Sequence, residues 1–357
     1  MILSFAKRFP YARLGLLLLA GLMTAPLTAS MERSLEAGRQ YLLREQRPDG
    51  AWPDREQPVA ATSLALLALL AGDTGTPPVP EAIHRGVDWL LDQQRSNGQI
   101  GNNLVEHATA TVALAQRLLI GPPPQDAERL HEALTQAAAF VADAQRIRKN
   151  RDADLGGWHF QPTFPRSDLY YSGWQILALQ AARQAGVEVD PVIYEEALKF
   201  VIRSRQREGY GAQPAFSEPS SRAYRSHTGV ALLAGRLLAD NPAELEEDTV
   251  LAWLDAVPPT WGGAQYRGHF FGMIFFQSQA YRHRGDQAWT TYRERLYPLF
   301  LRNQRGDGQW EAPESSEETS EGTVISTALG ILVLAVDEQR LPLFWPRDIA
   351  TGLSKFN

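Results

Sequence analysis

A turn that begins with glutamine and soon reaches glycine recurs along the chain at a nearly constant interval. Its glutamines are 48, 51, 61 and 98 residues apart: Gln46, Gln94, Gln145, Gln206 and Gln304. The last interval is two periods, and it contains a degenerate copy at Trp261-Gly262-Gly263-Ala264-Gln265-Tyr266. A fixed period of this length is the signature of a protein built from one repeated supersecondary unit. Six such repeats occupy residues 32–345.

Each repeat is predicted to form two helices. The first is amphipathic, with its charges on the solvent side, at 34–46, 81–95, 191–206 and 287–304. The second is almost wholly apolar, at 60–71, 109–119, 172–185, 228–239, 270–281 and 327–336. Because a helix that is apolar on every face must be buried on every face, the pattern predicts an all-α fold with six inner and six outer helices. A closed (α/α)6 toroid of six helical hairpins satisfies it, and an open superhelix is the alternative.

The recurrent turn itself has a local physical explanation. Glycine after Asp or Asn supplies the left-handed residue that ends a helix. The glutamine amide can bond backbone groups of a neighbouring turn, and tryptophan can be buried beside it. We therefore expect these residues to join one repeat to the next.

Two of these turns resemble a known family. The segments from Gln46 to Trp52 and from Gln304 to Trp310 resemble the QW repeats of squalene and oxidosqualene cyclases. The stretch from Gly156 to Gln175 is similar to a segment of small exported bacterial prenyltransferase or squalene-oxidase repeat proteins. The resemblance covers residues 32–345 and implies the terpenoid cyclase and protein prenyltransferase toroid. It is less informative about activity, because toroids of this kind host unrelated functions.

The catalytic acid of the cyclases has no counterpart at the expected positions. The family places an Asp-x-Asp-Asp motif immediately before a small Thr-Ala step on an inner helix, and no carboxylate pair precedes the matching steps here. Asp152 and Asp154 half-resemble the motif, but they lie in the turn before Gly156, either as an acid pair or as a solvated turn. The prenyltransferase zinc site needs Cys, which this chain lacks. A three-histidine site at His107, His227 and His269 would be the substitute, although hydrogen-bonded turn histidines explain them as well, and we expect no metal and no cofactor.

The remaining candidates concentrate before and along the inner helices. Asp168 stands where a carboxylate caps a helix start, and it is also a candidate catalytic residue together with His227, Asp152 and Asp154. Candidate ligand-binding residues are the aromatic ones of the third and fifth repeats: Trp158, Tyr170, Tyr171, Trp174, Trp261, His269, Phe271 and Phe275. We expect the helices that start near 168, 224 and 270 to point their first turns toward one end of the ring. Asp168, Tyr171, His227 and His269 would then share a pocket.

The N-terminus predicts export. Lys7, Arg8 and Arg13 precede the apolar run 14–23, and small residues follow at 28–30. This is the pattern of a secretory signal over residues 1–29, with an uncleaved signal anchor as the alternative; N-terminal sequencing of the mature chain distinguishes them. Its removal leaves 32 Lys and Arg against 41 Asp and Glu, a net charge of −9, which argues against a nucleic-acid partner. Residues 346–357 would form a C-terminal tail.

These observations lead to three functional hypotheses. The first is an exported toroid that binds an isoprenoid or other apolar molecule or lipid in a central aromatic cavity. Any catalysis would then be of the cyclase type, an isomerase or lyase. The second is a glycan-active periplasmic enzyme with Asp152, Asp154 or Asp168 as acid or base. The third is a non-catalytic scaffold for a protein partner; contact with a membrane surface and the oligomeric state stay open.

Overall fold

The computed structural model is helical throughout the residues it describes, which are 11–72, 78–120, 126–211, 223–239, 245–262, 268–314, 316, 322–338 and 340–344. Within them there are twelve α-helices and no β-strand. The outer helices are α1 (Tyr11–Glu45), α3 (Val79–Asp92), α5 (Ala127–Arg146), α7 (Pro191–Arg203), α9 (Glu247–Asp255) and α11 (Asp286–Asn303). The inner helices are α2 (Pro58–Gly72), α4 (Leu104–Leu119), α6 (Leu169–Gln184), α8 (Arg225–Leu238), α10 (Phe270–Arg284) and α12 (Thr323–Leu334). Short 3-10 helices follow at Asp152–Asp154 and Ala335–Glu338.

The six inner helices form a closed ring. Each packs against the next from α2 to α12, and α12 packs against α2. The outer helices lie around them, and α1 contacts both α11 and α12. The predicted (α/α)6 toroid is therefore confirmed, and the open superhelix is wrong.

Glutamine side chains join neighbouring repeats. Gln46 Nε2 donates to the carbonyl of Gly50 in its own turn at 3.0 Å and to the carbonyl of Ala82 in the next outer helix at 2.8 Å. Gln94 and Gln145 make the same pair of bonds in their repeats. The glycine has φ +96° at Gly50, and a Cβ there would lie 2.2 Å from the carbonyl oxygen of Arg85. The turn thus fits against the following helix only with glycine.

The same bonds close the ring. Gln304 Nε2 donates to the carbonyl oxygens of Gly308 and of Ser34, both at 2.9 Å. Ser34 lies in α1, at the other end of the repeat array. The first and last repeats are therefore joined by the same glutamine hydrogen bonds that join the first four repeats to one another.

In the fourth repeat, the residue in the glutamine position differs from the predicted one. Arg205, rather than Gln206, stands in the glutamine position, because its guanidinium donates to the carbonyl of Gly209 at 3.0 Å and pairs with Glu246 at 2.9 Å. Counting back four residues from the glycine, as in the turns of Gln46, Gln94 and Gln304, gives Arg205 and would have shown this. The assignment of Gln206 is wrong because adjacent arginine and glutamine can fill the same position.

Several inner helices begin earlier than predicted. α4 starts at Leu104 rather than 109, and α6 at Leu169 rather than 172. Asn103 and Asp168 cap these starts by accepting backbone N–H bonds of the first turn. A prediction based on apolar residues alone misses the first turn of a helix when a polar capping residue precedes it.

The predicted signal segment is only partly among the described residues. Residues 11–29 of the predicted signal form the first part of α1, whereas residues 1–10 and 346–357 lie outside the described residues. None of the described helices is both long and apolar enough to cross a bilayer.

Residues 340–344 lie across the end of the toroid at which the inner helices end. The aromatic rings of Phe344 and Phe275 pack there with centroids 5.5 Å apart. Leu343 bonds Gln116 at 3.2 Å and Gln184 at 3.4 Å.

Candidate functional site

A cavity lies inside the ring at the end where the inner helices begin. Its walls come from α2, α4, α6 and α12, from the residue before α10, and from the turns before α2 and α6. The lining residues are Gln57, Ala60, Leu64, Val105, Thr109, Phe160, Tyr170, Tyr171, Trp174, His269, Ile325 and Leu329. The space open to the centre of a water molecule is about 30 Å³. The closed cavity therefore holds little more than water, and a larger ligand requires the surrounding side chains to move.

The aromatic wall is held by the start of α6. Asp168 accepts hydrogen bonds from the backbone N–H groups of Tyr170 at 2.8 Å and Tyr171 at 3.4 Å. Tyr170 stacks on His269 with ring centroids 4.6 Å apart. Its hydroxyl lies where a Cβ on Gly272 would be, at 2.3 Å. A glycine on α10 therefore makes room for this tyrosine.

Trp174 forms the deeper part of the wall. Its ring stacks on Phe275 at 5.6 Å and meets the edge of Phe276 at 5.0 Å. Its indole N–H has no acceptor among the described residues. The cavity thus has a rigid aromatic base formed by residues of α6 and α10.

The wall of the cavity is electrically neutral at pH 7. Burial lowers the pKa of His269 to about 4. The pKa of His227 falls to about 3, mainly because of burial and secondly because His269 is close. No carboxylate is found among the described residues that line the cavity. The site offers aromatic faces, hydroxyls and an amide, but no acid strong enough to protonate an alkene.

The four candidate catalytic residues do not line the cavity. Asp168 caps α6, and His227 is buried beside Ser226, with Nδ1 3.1 Å from the serine hydroxyl. Asp152 is exposed. Asp154 is fully buried and accepts two hydrogen bonds from Arg151, at 2.7 and 3.1 Å, and one from the Ser167 N–H at 3.0 Å. The prediction of a solvated turn is wrong for Asp154, because these donors compensate its burial.

The candidate ligand-binding residues divide into two groups. Tyr170, Tyr171, Trp174 and His269 line the cavity. The others pack elsewhere. Trp158 is buried and donates from its indole to the Val141 carbonyl at 2.8 Å, Trp261 and Phe271 pack with Phe300 between α10 and α11, and Phe275 lies behind Trp174.

The histidines considered as metal ligands are not assembled into a site. His107 lies between α4 and α5, where Nδ1 accepts from the Ile100 N–H at 3.0 Å and Nε2 bonds the Ala137 carbonyl at 3.1 Å. Both nitrogens therefore have backbone partners. In the described part of the chain, no three potential ligands come together as a metal site would need.

Sequence reasoning missed one buried carboxylate. Glu106, in the first turn of α4, accepts hydrogen bonds from the backbone N–H groups of Val59 at 3.1 Å and Asn102 at 2.7 Å. Burial raises its pKa. It ties α4 to the start of α2 behind the cavity wall. Its signal in the sequence was the Asn-x-x-Glu spacing of a capping box at Asn103.

A loop covers the cavity. Residues 147–168 connect α5 to α6, and within them Phe160 lines the cavity while its carbonyl accepts from the Leu104 N–H at 2.9 Å. The ring of His159 lies 5.5 Å from that of Tyr171 and 4.1 Å from that of Phe164. Access to the cavity therefore passes close to this loop, which we call the α5–α6 loop.

Comparison with known sequences finds partial relatives among terpene cyclases. No family model matches the chain. It is 37% identical to the copalyl diphosphate synthase of Streptomyces cyslabdanicus over 152 residues, which are 42% of this chain and 25% of that protein. The enzyme of the same name from Streptomyces anulatus is 35% identical over 103 residues, 27% of this chain and 18% of that protein. The chain thus spans a quarter or less of the length of these relatives.

Comparison with solved structures finds the same toroid in two kinds of enzyme. The type II terpene cyclase MstE from Scytonema, in complex with its substrate geranylgeranyl dihydroxybenzoate, superposes with a TM-score of 0.57 at 16% identity, over 89% of this chain and 99% of that one. An inactive variant of the alpha-1,6-mannanase of Salegentibacter sp. HEL1_6, in complex with alpha-1,6-mannotetrose, gives 0.63 at 10% identity, over 87% and 99%. At these identities the likeness establishes the fold.

Proposed function

We propose that this protein binds an isoprenoid or a similar apolar molecule in the cavity of the toroid without protonating it. The observation that carries the proposal is the neutral aromatic wall formed by Tyr170, Tyr171, Trp174 and His269. Aromatic faces and aliphatic side chains recognise hydrocarbon by burial and dispersion. The partial identity to copalyl diphosphate synthases and the substrate-bound MstE structure support an isoprenoid as the apolar molecule.

Cyclisation by protonation lacks its acid here. Such a reaction needs a proton donor with a low pKa facing an apolar cavity. Neutral His269 and the tyrosine hydroxyls are poor donors to an alkene, and Glu106 points its oxygens at backbone N–H groups of α2 and the loop before α4. Binding, rather than cyclase chemistry, is therefore the function that the described wall supports.

The glycan hypothesis has less support in this cavity. Hydrolysis of a glycosidic bond generally uses two carboxyl groups that flank it. Asp154 is occupied by Arg151, Asp152 is exposed on the surface, and Asp168 serves as a helix cap. The likeness to the mannanase concerns the fold and brings no matching carboxylate pair to the described cavity wall.

Filling the cavity tests the proposal. Ala60→Leu adds three carbon atoms to the wall of α2, and because the free space is small, we expect farnesol to bind at least about tenfold more weakly than to the unchanged protein. Titration is followed by tryptophan fluorescence, since Trp174 is part of the wall. Ala185→Leu, at the end of α6 and outside the cavity lining, is the matched control and should bind normally.

Two results would count against the proposal. One is the absence of farnesol binding to the unchanged protein together with no isoprenoid among lipids that co-purify with it. The other is equal affinity in Ala60→Leu and Ala185→Leu, which would place the ligand elsewhere.

A further inference from the structure

A buried positive charge lies in the α5–α6 loop, which also supplies Phe160 to the cavity wall. The ammonium nitrogen of Lys149 is buried and has no hydrogen-bond partner among the described residues. Burial lowers its pKa to about 8, and the charge of Asp154 partly opposes this effect. The ammonium form therefore still predominates at pH 7. A buried charge without a partner is costly and is expected to have a counter-ion.

The nearby carboxylate is already occupied. Asp154 has zero exposed surface and binds the guanidinium of Arg151 through both oxygens. It also accepts the Ser167 N–H. Around this carboxylate, Arg151 balances the negative charge and Lys149 is left in excess.

A second polar atom without a partner lies close to this lysine. Nδ1 of His159 is buried and makes no hydrogen bond with the described residues. Burial lowers the pKa of His159, and Lys149 and Arg166 lower it further, whereas Asp154 raises it. The charge of Lys149 therefore reaches His159 in the same loop, and a neutral imidazole can present Nδ1–H to an anion.

The histidine of this pair is adjacent to the apolar cavity. The His159 ring contacts Tyr171, which lines the cavity, and the next residue, Phe160, also lines it. A molecule that placed its chain in the cavity would bring its end group to this pair. An apolar chain with one anionic end matches both environments.

We infer that Lys149 and His159 bind the carboxylate of an amphipathic acid whose hydrocarbon chain occupies the cavity. This inference rests on the proposed function, because it assigns the end group of the same ligand. The ammonium and the imidazole N–H supply two directed donors, which suit the two oxygens of a carboxylate, and the charge of Arg166, which also reaches His159, adds to the attraction for an anion. A diphosphate carries more acceptors than these two donors can match.

The experiment compares ligands that share a chain and differ in the end group. Geranic acid, methyl geranate, geraniol and geranyl monophosphate are titrated into the full chain at pH 7. We expect geranic acid to bind at least about tenfold more tightly than methyl geranate, since a hydrogen bond to a charged group is stronger than a neutral one. Geranyl monophosphate binding more tightly than geranic acid would overturn the assignment of a carboxylate.

Variants identify the group that recognises the acid. Lys149→Met should remove the preference for geranic acid and leave the affinity for methyl geranate unchanged, and Lys149→Arg should retain part of the preference. Lys199→Met is the matched control, because Lys199 is exposed and paired with Glu196 at 2.7 Å. A preference that survives in Lys149→Met would overturn the inference.

A measurement on the unchanged protein covers the case in which these variants do not fold. Bound geranic acid should raise the pKa of the Lys149 ammonium, as read by NMR of the lysine side chains, because a bound carboxylate favours the charged form, and it should leave the pKa of Lys199 unchanged. An equal pKa of Lys149 with and without the acid would contradict the inference. Tight binding of all the neutral ligands with no preference for the acid would refute it while leaving the proposed function intact. No binding of any ligand would refute both.

Discussion

At the scale of single residues, the chemical type of a buried polar side chain does not reveal its role in this protein. Asp154 and Glu106 are both fully buried carboxylates, yet each has hydrogen-bond donors that fix its place in the fold. His107 likewise has both ring nitrogens bonded to backbone groups. The sequence alone does not show these roles, and only the partners of these residues show that they hold loops and helix starts together.

Asp168 offers a test of this distinction. Asn caps a helix about as well as Asp, so Asp168→Asn should lower the free energy of unfolding by no more than about 0.5 kcal/mol and leave farnesol binding unchanged. Urea denaturation followed by circular dichroism measures the first, and the fluorescence titration the second. Asp168→Ala removes the acceptor and should cost about 1 kcal/mol. Lost binding in a stably folded Asp168→Asn would instead return Asp168 to the site.

At the scale of helices, the sequence predicts the repeat but does not predict which face of each inner helix lines the cavity. The inner helices are apolar on every face, so nothing in their pattern distinguishes the side toward the cavity from the side toward an outer helix. Tyr170 and Trp174 line the cavity, whereas Phe271 and Phe275, similar in type, pack against other rings. The sequence predicted that aromatic residues concentrate on these helices and that the helices begin at the same end of the ring. Which aromatic residues line the cavity and which pack between helices depends on how each helix is oriented.

The hydrogen bonds between repeats give the prediction at this scale. Gln304→Ala and Gln94→Ala each remove one bond within the turn and one to the next outer helix, and Gln304→Ala also removes the bond that Oε1 accepts from the Ser34 hydroxyl. Because the ring has no terminal repeat, both should lower the free energy of unfolding by a similar amount, about 1–3 kcal/mol from the unsatisfied carbonyls. Urea denaturation of the two variants side by side measures this. A large cost at Gln94 with none at Gln304 would mean that the contact between the first and last repeats contributes little.

At the scale of the whole molecule, buried histidines make stability depend on pH. Burial lowers the pKa values of His107, His269 and His283 to about 4 and that of His227 to about 3. The unfolded chain has histidine pKa values near 6.5. It therefore takes up protons first as the pH falls, and the stability present above about pH 6.5 is lost progressively toward pH 4. Glu106 acts in the opposite sense, because its raised pKa favours the folded state in acid.

We accordingly expect the free energy of unfolding to fall steeply between pH 7 and pH 5. The slope follows from up to four histidines, each worth on the order of 1 kcal/mol per pH unit between its unfolded and folded pKa values. Urea denaturation at half-unit steps of pH gives this slope. His107→Gln should reduce it, whereas replacement of the exposed His84 by Gln should not. A stability that is flat over this interval would show that the buried histidines are protonated without cost.

The short segment at residues 340–344 has a consequence for how the protein is made. It seals the C-terminal end of the ring, and α12, just before it, completes the circle against α2. Both follow all the other helices of the ring in the chain, whereas α2 is the first inner helix to be synthesised. The apolar surfaces of α2 that will face α12 stay uncovered until α12 has left the ribosome, and exposed apolar surface on an incomplete chain promotes aggregation. The ring can therefore close only after α12 has left the ribosome, and no shorter nascent chain can bury this face of α2 against it.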